Sequence, residues 1–171
     1  TGGLTVSGGG STINGLILNN AEGYGLTLSS AGGNLIEANQ IGGLSISSAA
    51  NYIDDNVITN SVTNGVTLYT GADNNRIGAS SPNRITANGG HGISVTAGTE
   101  NEIMNNTISM NTFDGVSALN TAIVLNGNTI TENTGYGVSV SSASGTTILD
   151  NTVELNTSGG ILISGSEVTL R

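Results

Sequence analysis

The chain has 171 residues, a formal net charge of −9 and only three basic residues, Arg76, Arg84 and Arg171. That balance repels a nucleic-acid backbone and an anionic membrane surface, so neither is an expected partner. There is no cysteine, which excludes a disulfide framework and a thiolate nucleophile or metal site, and no apolar run approaches the roughly 20 residues that span a bilayer.

The first predicted element is a glycine-led strand, Gly3-Leu4-Thr5-Val6, followed by lone apolar residues at Ile13 and Leu18. The same series restarts at Gly25 with Leu26-Thr27-Leu28, then Ile36, Asn39 and Ile41, and again at Gly43 with Leu44-Ser45-Ile46, Ile53, Asn56 and Ile58. The next start, Gly65, leads Val66-Thr67-Leu68, Ile77, Asn83, Ile85 and Asn88, and Gly92 leads Ile93-Ser94-Val95, Ile103, Asn106, Ile108 and Asn111. Gly115 and Gly137 repeat it with Val116-Ser117-Ala118, Leu125, Asn128, Ile130, Asn133 and with Val138-Ser139-Val140, Ile148, Asn151, Val153, Asn156. Gly160 opens a last strand, Ile161-Leu162-Ile163, and Leu170 falls in register with the coil that would follow.

The intervals between these eight glycines are 22, 18, 22, 27, 23, 22 and 23 residues, the period of a solenoid. Apolar residues occur singly or two apart between small polar ones, which is strand periodicity with tight corners and never a helical pattern. Three short strands per coil follow, each pairing with its equivalent one coil away, so the expected fold is all-β with about seven coils and three parallel sheets. Equivalent side chains then stack about 4.8 Å apart. Asn39, Asn56, Asn83, Asn106, Asn128 and Asn151 hold one position in six consecutive coils, with Leu16 in the first coil, and Asn88, Asn111, Asn133 and Asn156 hold another. Asparagine tolerates a left-handed backbone at a corner, and its amides can hydrogen-bond along a stack. The repeated glycine suits a corner where φ is positive or another backbone passes closely. The short interval removes a corner between Ile41 and Gly43, and the long one adds about four residues near Gly78 to Pro82, an insertion read as a binding loop or a plain bulge.

With these ladders the chain resembles the right-handed parallel β-helix superfamily, the pectate-lyase-like fold, over its whole length as a single domain. The segment Asn75-Arg76-Ile77-Gly78 through Pro82-Asn83-Arg84-Ile85-Thr86-Ala87-Asn88 is similar to the Asn/Gly-rich repeats of bacterial surface and secreted proteins. The resemblance implies right-handedness and an extracellular or cell-surface location. The pattern starts and stops within a coil, as expected of a piece of a longer solenoid or of a subunit that associates end to end.

The residues before the glycines, Gly2, Tyr24, Gly42, Asn64, His91, Asp114, Tyr136 and Gly159, form an outward stack. There His91, Asp114 and Tyr136 would be neighbours, with Asp114 raising the histidine pKa, as the catalytic set if the protein is an enzyme; the alternative is a surface histidine in a polar stack. Gly90-His91-Gly92-Ile93 resembles a polygalacturonase segment, which implies glycoside hydrolysis. The paired aspartates are missing, however: Thr63 and Asn64 stand in their place. The calcium-binding aspartate cluster of pectate lyases and the Tyr-Gly-x-Asp-Pro-His run of mannuronan epimerases are absent too. Glu37, Asp54 and Asp55 are candidate Ca²⁺ ligands, or else a solvated acidic patch. Thr5, Thr27, Ser45, Thr67, Ser94, Ser117 and Ser139 form a hydroxyl stripe, with a second through Thr107, Ser109, Thr129 and Thr131. Such arrays resemble ice-binding faces, or serve as ordinary exposed strand residues. The expected function is a structural stalk, adhesin or fibre module with weak glycan contact. The competing expectation is a lyase, hydrolase or epimerase acting on an acidic polysaccharide.

Overall fold

The computed structural model describes residues 3–19 and 22–171. Each coil contributes one strand to each of three parallel sheets, and no helix occurs among these residues. The glycine-led sheet has eight strands, Leu4–Val6, Leu26–Ser29, Leu44–Ser47, Val66–Leu68, Ile93–Val95, Val116–Leu119, Tyr136–Ser144 and Gly159–Ser166, stacked in chain order. The second sheet runs in the same order from Thr12–Asn14 to Thr169–Leu170, and the third from Ile17–Leu18 to Thr152–Glu154. Register follows the apolar period: Ile36 pairs with Ile53, Ile77 with Ile103, Leu125 with Ile148, and Ile58, Ile85, Ile108 and Ile130 pair in turn.

The core is therefore a set of aliphatic stacks. Ile36, Ile53, Ile77, Ile103, Ile41, Ile58, Ile85 and Ile108 are all fully buried, together with Leu26, Leu44, Val66 and Ile93 from the glycine-led sheet. β-Branched side chains suit such a pleated surface, and the transfer of each from water contributes about 1.5–3 kcal/mol.

The asparagine ladders are directional. At each step the backbone N–H of one asparagine and its own amide both donate to the Oδ1 of the asparagine in the next coil: Asn83 N to Asn106 Oδ1 at 3.1 Å with Asn83 Nδ2 at 2.9 Å, then Asn106 to Asn128 at 2.9 and 3.1 Å. The amide also reaches back to a carbonyl one coil earlier, as Asn106 Nδ2 does to Ile77 at 2.8 Å. Leu16, in the first coil, donates its N–H to Asn39 and needs no amide of its own. A third ladder, Asn34, Asn51, Asn75 and Asn101, joins the two read from the sequence.

The left-handed backbone expected at the ladder asparagines lies instead on the residue before them. Ala38, Asp55, Asn105 and Asp150 precede the first ladder with φ of 53°, 55°, 59° and 52°, and Ala87, Met110, Glu132 and Leu155 precede the second with φ of 55° to 59°. Turning the chain one residue early swings the asparagine side chain inward, where its amide meets the adjacent coils. The geometry is disfavoured for alanine, methionine and leucine, so the buried amide bonds must offset it.

Four of the recurring glycines answer the second of their two expected roles. Gly65, Gly92, Gly115 and Gly137 do not have positive φ. A Cβ at Gly115 would stand 2.7 Å from the Gly137 carbonyl oxygen and 2.9 Å from the Asn133 amide, and one at Gly92 would stand 2.6 Å from the Gly115 oxygen. The glycine is the only residue that lets this corner close on the second ladder.

The long coil is also corrected in detail. Ile77 and Ile85 are eight apart against five for Ile53 and Ile58, so three extra residues lie at the Gly78–Pro82 insertion; the remainder fall in the turn after Leu68, which Ala72 closes by donating its N–H to the Tyr69 carbonyl at 3.0 Å.

Candidate functional site

The outward stack before the glycines holds the residues with the most reactive chemistry. Its first member, Gly2, lies outside the described residues. From His91 to Tyr136 every backbone N–H in the stack is taken by the side chain one coil earlier. Asn64 Oδ1 accepts from His91 N at 2.8 Å, His91 Nδ1 accepts from Asp114 N at 3.1 Å, and Asp114 Oδ1 accepts from Tyr136 N at 2.7 Å. The structure thus brings His91, Asp114 and Tyr136 together in the expected order, but as a ladder of acceptors for the main chain. Tyr136 joins it through its backbone.

Asp114 acts on the imidazole in the expected direction, but burial outweighs it. Asp114 Oδ2 lies 3.5 Å from His91 Nδ1 and does raise the pKa, yet burial lowers it by more, and the net displacement is below the usual value of 6.5. An accepting Nδ1 fixes the neutral ring as the Nε2–H tautomer, and a proton on Nδ1 would break the bond from Asp114 N. Phe113 packs against the ring at a centroid distance of 5.5 Å, which explains part of the desolvation. His91 is positioned to donate through Nε2 and is poorly placed to carry a proton between groups.

The three carboxylates proposed for Ca²⁺ do not converge. Glu37 and Asp54 are register partners, but Glu37 Oε1 accepts from Asn14 Nδ2 at 2.9 Å, while Asp54 turns to the insertion and accepts from Ser80 N at 3.1 Å and Ser81 N at 3.4 Å. Asp55 occupies the left-handed corner. Among the described residues no three acidic or histidine side chains gather around a common point. The insertion is held down on Asp54 by these two bonds.

The hydroxyl stripe is in register but is not a flat exposed face. Thr67 is only 2% exposed, because the Tyr24 hydroxyl donates to its Oγ1 at 2.8 Å and the Asn64 amide does so at 3.1 Å. The Tyr24 and Tyr69 hydroxyls meet at 3.1 Å, and this bond is the main reason the Tyr69 pKa is pushed up to about 12. Tyr24 reaches across the short coil and packs over Gly43, whose φ is 93°. In the second stripe Ser109 is likewise buried, bonded to Thr86 at 3.2 Å.

A different surface has the more open chemistry. On the outer face of the second sheet Tyr52, Arg76, Glu102 and Val124 are consecutive register partners. Arg76 Nε bonds Glu102 Oε2 at 3.2 Å, and its guanidinium lies 5.8 Å from the centre of the Tyr52 ring. They line a groove of about 490 Å³. The sequence holds a signal for it in the variable residue before the inward isoleucine, Asn51-Tyr52-Ile53, Asn75-Arg76-Ile77 and Asn101-Glu102-Ile103, which the isoleucine ladder aligns and the third asparagine ladder flanks.

Residues 42–171 match the family model of the right-handed β-helix region. Among curated protein sequences none matches the chain. Of solved structures, a mutant of the periplasmic alginate epimerase AlgG is similar with a TM-score of 0.66 at 16% identity, over 85% of this chain and 47% of that one. The A-module of mannuronan C-5 epimerase AlgE4 from Azotobacter vinelandii is similar with a TM-score of 0.56 at 16% identity, over 99% of this chain and 58% of that one. The chain spans about half the length of these structures, and likeness at such identity extends to the fold alone.

Proposed function

The chain belongs to the right-handed β-helix family, and from that membership we propose that it acts as a structural module, a rigid segment of a secreted or cell-surface protein serving as stalk, adhesin or fibre. The observation that supports this reading is the use of Asn64, His91 and Asp114 as acceptors for the backbone of the next coil. Side chains committed to the main chain in this way stiffen the rod, and none of them is left as a mobile acid–base pair. The proposed neighbours along the axis are further coils, of the same protein or of a second copy.

The competing reading is a carbohydrate-active domain using His91, Asp114 and Tyr136 on an acidic polysaccharide. Proximity of His91 to Asp114 favours it, and the depressed histidine pKa and occupied Nδ1 weigh against it. Fold likeness to epimerases does not decide between the two. The test is incubation of the protein with polymannuronate, polyguluronate and polygalacturonate, following reducing ends, unsaturated product and C-5 inversion. No turnover above blank is expected for the wild type; turnover that His91→Ala abolishes would overturn the structural reading.

A further inference from the structure

The groove on the second sheet has the composition of a ligand site that the scaffold reading does not use. Its floor is the row Tyr52, Arg76 and Glu102, and one wall is the corner row Ala50, Asn74 and Glu100, all exposed or half-exposed. Its volume of about 490 Å³ lies within the range of small-molecule sites, about 300–1,000 Å³.

The polar groups are mixed in a particular way. Arg76 uses Nε on Glu102, leaving its terminal nitrogens as a fork of donors; Asn74 supplies both a donor and an acceptor, the Tyr52 hydroxyl does the same, and Glu100 and the second oxygen of Glu102 accept. A ligand whose groups each donate and accept, the hydroxyls of a sugar ring, can satisfy this set. The Tyr52 ring and the small Ala50 side chain offer apolar surface to the C–H faces of such a ring. Charge selects further. One guanidinium, already paired, stands against two carboxylates on a chain of net charge −9, so a carboxylate-bearing sugar would be repelled.

We propose that this groove binds uncharged pyranose units of a glycan, with Arg76, Tyr52 and Glu102 as the principal contacts. Such a site gives a rod-like module a means of holding to a hydroxyl-rich polysaccharide without acting on it.

The test is a titration of the whole chain, followed by amide NMR shifts and calorimetry, with cellohexaose, mannohexaose and, for contrast, hexamannuronate. The expected result is binding of at least one neutral hexasaccharide with shifts centred on residues 50–52, 74–76 and 100–102. Tyr52→Ala and Arg76→Gln should each weaken it by about tenfold or more, with Arg84→Gln on the third sheet as an unaffected control of similar charge change. Circular dichroism checks that each variant keeps the fold. Absence of binding by both neutral probes at millimolar concentration, tighter binding of the uronate, or unchanged affinity in both groove variants overturns the proposal. None of these outcomes bears on the scaffold reading, which rests on a different face.

Discussion

Asn106 sits in the middle of the longest amide ladder, and Asn106→Ala tests the claim that these ladders hold the corners against their backbone strain. The side chain accepts from Asn83 N and Asn83 Nδ2 and donates to the Ile77 carbonyl and to Asn128 Oδ1, at distances of 3.1, 2.9, 2.8 and 3.1 Å. Asn83 Nδ2 keeps the Ile53 carbonyl at 2.7 Å, and Asn128 Oδ1 keeps the backbone N–H of position 106 at 2.9 Å. The buried Asn83 N–H is left with no acceptor. One such orphan costs about 1–3 kcal/mol and each of the other three bonds lost about 1, so the expected loss is about 4–6 kcal/mol. Asn151→Ala removes an equivalent amide at the accessible outer rung, where water can replace it, and should lose about 1–2 kcal/mol. Urea unfolding followed by circular dichroism measures both, with unchanged slopes confirming that the folded and unfolded states compared are the same. If Asn106→Ala loses less than about 1 kcal/mol, or no more than Asn151→Ala, the ladders do not carry the corners and the reasoning fails.

Two further outcomes follow from the corners and the outward stack. Gly115→Ala drives a Cβ against the Gly137 carbonyl and the Asn133 amide, neither free to move, and should destabilise by about 2–3 kcal/mol. Gly8→Ala, with nothing within 4 Å, should stay within about 0.5 kcal/mol of wild type. His91 is the only histidine, so its ring protons can be titrated by NMR without assignment; the midpoint should fall below 6.5, and one above it would contradict the buried neutral ring. The sign for stability follows. The unfolded chain takes up a proton near 6.5 while the folded chain resists, so the His91 contribution is full above that value and is lost as pH falls through the folded midpoint; His91→Gln should remove that slope.

The candidate site was only half legible. That His91, Asp114 and Tyr136 would be neighbours follows from their common offset before the glycines, and the structure has them so. Their employment was not legible, because whether a side chain faces substrate or its own main chain depends on which backbone N–H lies opposite it one coil away. The same holds for Asp54: its place after an inward isoleucine is written in the chain, but the Ser80 and Ser81 N–H groups that occupy it come from 26 and 27 residues later. The Tyr52–Arg76–Glu102 row escaped notice since its three members share no residue type, only a position.

By itself the sequence determined the coil. Alternation of apolar and small polar residues decides which side chains face inward, and a constant period decides what stacks on what, so the aliphatic ladders and the first two asparagine ladders could be named from spacing alone. What only the tertiary structure decided is how each polar group is satisfied: the left-handed residue one place before the asparagine, the glycine needed for closeness at its corner, the histidine held neutral. Those depend on distances of a few tenths of an ångström between coils, and a pattern of residue types along one strand carries no record of them.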